Sequence, residues 1–251
     1  MSSVLDGLPI LPVFRVLAVA TAFPLLAGPG APRMVRLAIG LSLSVLILHS
    51  IPTQPALTAS AMLVLVPFEV LLGLAIGYVF SLPFEVLAVG GDLLGQEMGL
   101  NTATQFDPVS GRPVPLLARL FEILGLVFFV EAGGMQLLLR TLAASFDAVP
   151  PGSILDPPLL YESLIETTTS AVAAGIQLAL PAAAVLMVVT VATTFVARTV
   201  PKLHVLDFAY AARLMLALVL VAALLPRVLP AFSNFADAAA TRFLAALRES
   251  R

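Results

Sequence analysis

The sequence predicts an all-α integral membrane protein, and three observations indicate that fold class. Of the 251 residues, 60% are hydrophobic and 11% are charged, whereas a soluble domain is usually ~45–50% apolar and ~25% charged. The apolar runs are rich in Leu and Ala and do not alternate strictly between apolar and polar residues, which makes β-strands improbable in them. Clusters of Gly and Pro, such as GPGAP at 28–32 and VPPG at 149–152, separate the runs.

The apolar segments follow one another with no change in composition that would mark a soluble domain. We therefore expect one membrane-embedded domain over residues 1–251, built from hydrophobic helical hairpins with kinked or broken helices. Pro181 predicts a kink in the fifth segment. Leu116–Phe129 and Gln136–Phe146 are each too short to cross a bilayer comfortably and predict a hairpin or a bent pair. The apolar segments are approximately Leu8–Ala27, Met34–Ile51, Ala61–Phe80, Leu116–Val130, Ser170–Ala197 and Phe208–Phe232.

The first segment is expected to be a membrane helix rather than a cleaved signal peptide. No Lys or Arg precedes the apolar run, whereas a secretory signal begins with basic residues. Asp6 is acidic, and Arg15 interrupts the run. Long basic side chains within the apolar segments either snorkel to the membrane surface or face protein. The arginines concerned are Arg15, Arg213 and Arg227.

Acidic residues within the apolar segments are harder to reconcile with lipid. A charge at the centre of a bilayer costs about 2.5–3.5 kcal/mol, and a carboxylate has a short stem with which to reach water. Glu69, Glu85 and Asp92 are the intramembrane charges identified on this ground. Glu85, Asp92 and Gln96 also fall at spacings of seven and four, which predicts a polar stripe on one helix face.

Glycines four residues apart predict close packing between helices. Gly73 and Gly77 form one such pair, and Gly91, Gly95 and Gly99 form a triple. Residues at this spacing share one helix face, and the missing side chains let a second backbone approach closely.

The sequence contains no recognisable catalytic or metal-binding motif. There is no cysteine, and the two histidines, His49 and His204, lie far apart in the chain, so neither thiol chemistry nor a His-rich metal site is expected. HExxH, GxSxG, P-loop and GxGxxG elements are missing. The formal net charge of −2 does not suggest nucleic acid as a partner. We expect no enzyme activity, no cofactor and no metal.

One polar loop, at about residues 100–115, separates two of the most apolar parts of the chain. It carries small polar residues, the Asp107-Pro108 turn signal and Gly111. Such a segment can leave its backbone groups exposed only where water is present. We expect the loop either to enter a water-filled space or to be an ordinary connection outside the membrane.

The order of several motifs resembles the FliR family, the export-gate membrane subunits of flagellar type III secretion, together with their injectisome counterparts. The likeness extends over nearly the whole chain. Pro115 favours the flagellar branch, although the injectisome remains an alternative. The motifs that carry the resemblance are Arg15, Phe23-Pro24, Pro32, Arg36, Glu69-x-x-x-Gly73-x-x-x-Gly77, Gly95-Gln96-Glu97-Met98-Gly99, Asp107-Pro108-x-x-Gly111, Phe128-Phe129, Gly133-Gly134, Ser145-Phe146, Pro151-Gly152, Pro181 and Arg198-Thr-Val-Pro201.

The resemblance implies a role and a set of partners. Members of this family join P-type and Q-type subunits (FliP and FliQ) in a helical assembly around an export channel in the bacterial cytoplasmic membrane, at the flagellar basal body. FlhB-type and FlhA-type components, exported protein substrates and membrane lipid are further implied partners. The resemblance also implies that the polar loop plugs the closed pore. The residues at the plug position are Asn101, Thr102, Ala103, Thr104, Gln105, Phe106, Asp107 and Pro108.

Two other functions remain open on the sequence. In a transporter of small molecules, protons or cations, Glu69, Glu85 and Asp92 would form a relay, and Pro-broken helices suit such folds. Against this, the two halves of the chain show no symmetry of hydropathy. A membrane enzyme is the third possibility, and no residue in the sequence supports it.

Overall fold

The structure is a computed structural model that describes residues 10–23, 33–48, 59–99, 105–107, 112–114, 116–153, 157–199 and 205–249. These residues form seven helices and one short antiparallel ribbon. The all-α prediction is confirmed. The elements are α1 (Ile10–Ala22), α2 (Arg33–Leu48), α3 (Ala59–Met98), β1 (Gln105–Asp107), β2 (Arg112–Val114), α4 (Leu116–Glu131), α5 (Gly134–Ala148), α6 (Pro157–Thr199) and α7 (Val205–Glu249).

Three helices, α3, α6 and α7, are long and apolar enough to cross a membrane. Counting the bent pair α4–α5 as one broken span brings the number within the described residues to four. The predicted bent pair is therefore present, with its break at Ala132 and Gly133. Gly133 has a φ of 71°, a left-handed conformation that glycine adopts without the steric cost of a Cβ atom.

Helix α3 is longer than the sequence suggested. The third apolar segment was expected at Ala61–Phe80, with Pro67 and Glu69 as interruptions inside it and a glycine-rich stretch beyond Phe80. The segment and that stretch belong to a single helix of 40 residues. Glu69 does not end the helix because its charge is paired with an arginine of the same chain, as described below. The last segment is also longer than expected, since α7 continues through Pro226 and Pro230 to Glu249.

Two compact units make up the chain. The first comprises Met1–Leu82, Gly133–Thr168 and Ala236–Arg251, and the second comprises Pro83–Ala132 and Thr169–Phe235. Each of the long helices α3, α6 and α7 contributes to both units. The single membrane-embedded domain expected from the sequence stays a prediction.

The first unit contains close contacts between helix backbones. Helix α1 packs along α2 and lies against the N-terminal half of α3. A Cβ atom at Gly73 would overlap the backbone carbonyl oxygen of Arg15, and one at Gly77 would lie 2.5 Å from Cβ of Ala22. Glycine at both positions therefore lets the α1 backbone touch α3.

The second unit is built around aromatic rings and a second set of glycines. Phe84, Phe129 and Phe232 contact one another, with ring centroids 5.5 to 6.5 Å apart; both contacts of Phe232 are edge-on. Helices α3 and α6 meet where a Cβ atom on Gly175 would lie 2.7 Å from the carbonyl oxygen of Val86. All these side chains and glycines are buried, so the crossing leaves no room for an added methyl group.

We expect Gly73→Ala to lower the apparent melting temperature of the protein in detergent markedly. The added methyl would meet backbone of α1, which cannot move as a side chain can, and overpacking of this kind usually costs about 1–3 kcal/mol. Gly40→Ala is the matched control, because its methyl would meet the far end of the Leu17 side chain at 2.8 Å. Its clash is relieved by a rotation of Leu17, and Ala favours the helix by about 1 kcal/mol. Equal effects of the two variants would contradict the close contact at Gly73.

Candidate functional site

A buried ion pair lies at the centre of the first unit. Nε of Arg15, in α1, donates to Oε2 of Glu69, in α3, at 2.7 Å. The side chain of Arg15 is 0% exposed and that of Glu69 is 3% exposed. Arg15 thus does not snorkel to the membrane surface, which was one of the two alternatives left open by the sequence. A charge buried to this extent requires a partner and further hydrogen bonds.

The end of helix α5 supplies those further hydrogen bonds. Nη1 of Arg15 donates to the carbonyl oxygen of Ser145 at 3.0 Å and to its hydroxyl at 3.3 Å, and Nη2 donates to the carbonyl oxygen of Val149 at 3.1 Å. Carbonyl groups in the last turn of a helix carry partial negative charge and are otherwise only partly bonded. The guanidinium group also lies 4.4 Å from the ring centroid of Phe146, a cation–π distance.

The second carboxylate oxygen of Glu69 fixes the turn after α5. The backbone N–H of Gly152 donates to Oε1 of Glu69 at 3.1 Å. Gly152 has a φ of 87°, which glycine tolerates and residues with a side chain rarely adopt. Ser153 closes the turn through its N–H to the carbonyl oxygen of Pro150, at 3.1 Å. Glu69 therefore joins α1, α3 and this turn through one side chain.

This cluster of residues, called here the arginine junction, unites motifs that lie far apart in the sequence. The family resemblance rests in part on Arg15, Glu69, Ser145-Phe146 and Pro151-Gly152. The structure brings Arg15, Glu69, Ser145, Phe146 and Gly152 into contact around one guanidinium group. Residues that are distant in the sequence thus share one structural task.

The other two intramembrane acids are not part of the arginine junction. Glu85 is exposed, and Asp92 is half-buried and accepts a hydrogen bond from Nε2 of Gln96 at 2.9 Å. Both lie in the second unit, whereas Glu69 lies in the first. The predicted stripe of Glu85, Asp92 and Gln96 therefore includes one real contact, between Asp92 and Gln96.

The three glycines of the predicted triple have different surroundings. A Cβ atom at Gly91 would lie 2.9 Å from Cα of Ala118, in α4. Gly95 is buried. Gly99 follows the end of α3, with a φ of 74°, and its N–H donates to the carbonyl oxygen of Gln96 at 3.0 Å. Gly90, which the fourfold spacing did not include, faces the carbonyl oxygen of Gly175.

A second pairing of an arginine with a carboxylate, only partly buried, lies near the start of the polar loop. Nη2 of Arg213, in α7, is 3.7 Å from Oε2 of Glu97, in the last turn of α3. The two side chains are 19% and 30% exposed. Nε of Arg213 is buried and has no hydrogen-bond partner among the residues that the structure describes. Within the described residues, Arg213 is therefore less completely hydrogen-bonded than Arg15.

The polar loop contains a short ribbon that the sequence did not predict. Residues 105–107 pair antiparallel with residues 112–114, with Phe106 opposite Pro113 and Asp107 opposite Arg112. The backbones of Gln105, Phe106 and Asp107 are thus in β1. Asn101, Thr102, Ala103, Thr104 and Pro108 lie outside the described residues. Two three-residue strands are compatible with the loop expected at 100–115.

We expect the loss of one partner of the buried ion pair to lower the free energy of unfolding far more than the loss of both partners. Arg15→Met and Glu69→Met each leave an uncompensated buried charge, which costs about 3–5 kcal/mol, whereas the double variant leaves none. The measurement is the free energy of unfolding in mixed micelles, with the double variant expected to lose much less than the two single losses combined.

The exposed pair Arg119–Glu122 supplies the matched control for that comparison. Its atoms are also 2.7 Å apart, but the side chains are 46% and 42% exposed. Surface pairs contribute only about 0–1 kcal/mol, so Arg119→Met should change the unfolding free energy little. Strictly additive losses at Arg15 and Glu69 would contradict a coupled buried pair.

Comparison with known proteins yields a consistent set of relatives. Residues 8–239 match the family described as Bacterial export proteins, family 1. The flagellar biosynthetic protein FliR of Escherichia coli (strain K12) is 28% identical over 221 residues, which cover 87% of this chain and 84% of that protein. FliR of Bacillus subtilis (strain 168) is 26% identical over 212 residues, 82% of each chain. The surface presentation of antigens protein SpaR of Shigella flexneri is 23% identical over 153 residues, 61% of this chain and 59% of that protein.

Proposed function

Because the chain belongs to the FliR family of bacterial export proteins, we propose that it is a membrane subunit of a type III protein-export gate. It acts without catalysis of its own, as part of the channel through which flagellar substrates leave the cell. The family match over residues 8–239 is the observation that carries this proposal. We place the protein in the bacterial cytoplasmic membrane, at the flagellar basal body.

The burial of the long helices supports a role within an assembly. In the most apolar parts of α6 and α7 only 22% of the residues are buried by the chain itself. Surfaces of this extent must contact lipid or other subunits. The partners we propose are the P-type and Q-type subunits, FliP and FliQ, with FlhB-type and FlhA-type components and the exported proteins as further partners.

A transporter of small molecules or cations is less well supported. That alternative depended on Glu69, Glu85 and Asp92 acting as a proton or cation relay. Glu69 is occupied on both oxygens, by Arg15 and by the N–H of Gly152. A carboxylate held in this way stabilises the fold and is poorly suited to taking up and releasing an ion.

We propose that the polar loop between α3 and α4 plugs the closed channel. The strands at residues 105–107 and 112–114 pair with each other, which supports an ordered element within the loop. Strand edges leave backbone N–H and C=O groups that need water or protein as a partner. A water-filled channel supplies water as a partner, and the channel wall supplies protein groups. Phe106 is the residue we propose as the apolar stopper.

Co-expression tests the assembly. We expect this chain, expressed with P-type and Q-type subunits from the same bacterium, to purify as one complex that is stable in detergent. Expressed alone, it should aggregate or be degraded, because its apolar surfaces lack partners. Size-exclusion chromatography with light scattering measures both outcomes. A stable monodisperse monomer that ignores those subunits would overturn the proposed function.

Loop shortening tests the plug. Replacing residues 101–112 by a brief Gly/Ser linker should increase ion leakage through bilayers that hold the assembled complex, with subunit composition unchanged. Phe106→Gly in the full-length loop isolates the stopper and should cause a smaller increase. As a control, a Gly/Ser segment as long as the original loop shows whether any chain of that length prevents the leakage. If conductance is unchanged in the fully assembled shortened variant, the loop is only a connector.

A further inference from the structure

The C-terminal end of helix α3 is held in place by its own packing. Leu94 and Met98, in the last two turns, are buried, so the helix cannot unwind there without exposing large apolar side chains. Helix α4, which begins after the polar loop, touches α3 about two turns before its end. A Cβ atom on Gly91 would lie 2.9 Å from Cα of Ala118, so the two backbones are in contact there. Both ends of the polar loop are therefore anchored by contacts within the second unit.

Gly99 lies between this anchored helix end and the polar loop, and its backbone is left-handed. Its φ is 74°, a conformation in which the Cβ atom of an L-residue crowds the following carbonyl oxygen. The N–H of Gly99 donates to the carbonyl oxygen of Gln96, three residues earlier, at 3.0 Å. A bond of this kind tightens the last turn of a helix. Gly99 is thus the point at which the chain leaves the axis of α3 and enters the loop.

The other glycines with a positive φ among the described residues have different surroundings. They are Gly133 and Gly152. Gly133 joins α4 directly to α5, and Gly152 is held through its N–H by the carboxylate of Glu69. Gly99 instead precedes the polar loop, whose first strand begins at Gln105. A change of backbone conformation at Gly99 therefore meets a packed helix on one side and the loop on the other.

A side chain at position 99 could relieve its crowding in two ways. The last turn of α3 could unwind, which would expose Leu94 and Met98 and lose their hydrophobic burial. Alternatively, φ at residue 99 could return to negative values, which would send the loop in another direction. The loop is rich in small polar residues, so redirecting it sacrifices far less apolar burial than unwinding the helix does. We therefore expect the loop to move and the helix to stay.

We propose that Gly99 is a positioning residue of the polar loop, because its left-handed backbone fixes the direction in which the loop leaves α3. This role rests on the proposed function, since the direction of the loop affects export only if the loop plugs the channel. Gly99 then acts on the seal through the loop residues that follow it. Ala at this position would set the loop in other directions, whereas Asn, which adopts left-handed conformations more readily than other residues with a side chain, would largely preserve it.

The test measures the position of the loop and the leakage of the channel in the same complex with P-type and Q-type subunits. The chain has no cysteine, so spin labels at Gln105→Cys, in β1, and Arg119→Cys, exposed on α4, define one distance for pulsed electron resonance, with cysteine-free partner subunits. Gly99→Ala should lower the ratio of the wild-type distance to other distances about five- to thirty-fold and raise ion leakage per assembled complex. Gly99→Asn should restore most of both.

Gly152→Ala is the matched control, because Gly152 has a φ of 87° but belongs to the first unit, whereas the loop belongs to the second. It should lower the melting temperature and leave the labelled distance and the leakage unchanged. An unchanged distance in Gly99→Ala, the same change in Gly152→Ala, or loss of the complex in Gly99→Ala alone would each overturn the positioning role. A changed distance without added leakage would support that role and overturn the plug.

Discussion

The buried charge of Arg15 is the constraint on which the first unit depends. An arginine in an apolar helix must find partners for its N–H groups, and here they are Glu69 and the carbonyls of Ser145 and Val149. These partners come from α3, from the last turn of α5 and from the residue after it. The hydrogen bonds of one guanidinium group therefore hold α1 against α3 and the end of α5. The bonded residues are 54 to 134 positions from Arg15 in the chain. Because the partners must be present together, the junction favours one arrangement over other apolar packings.

The glycines of α3 make that hydrogen bonding geometrically possible. Gly73 follows Glu69 by four residues and so lies on the same helix face. Its lack of a side chain lets the α1 backbone touch α3 at Arg15 itself, which brings the guanidinium group within 2.7 Å of the carboxylate. A bulkier residue at Gly73 would move Arg15 away from Glu69 while leaving both charges buried. Close packing and charge pairing are therefore two parts of one interface and not independent contributions to stability.

The sequence was sufficient for the fold class, the membrane location of the long helices and the family, because these depend on composition, periodicity and motif order. It was insufficient for the arginine junction, since nothing local indicates that Arg15 pairs with Glu69 rather than reaching the membrane surface. The same gap explains why Glu69 was expected to interrupt the third segment: an unpaired carboxylate would interrupt a membrane helix, and a paired one does not. Gly90 was missed because its partner, Gly175, lies on another helix, and spacing within one helix cannot reveal it. The ribbon at 105–114 has only three residues in each strand, too few to produce a periodic signal.

The two arginines differ in how far the described residues satisfy their hydrogen-bonding groups. Each nitrogen of the Arg15 guanidinium group donates at least one hydrogen bond within the first unit. In the second unit, Arg213 is 3.7 Å from Glu97, and its Nε has no partner in the described part of the chain. Polar groups left unsatisfied in an apolar setting are costly for an isolated chain, but they give specificity when a neighbour supplies the missing donor or acceptor.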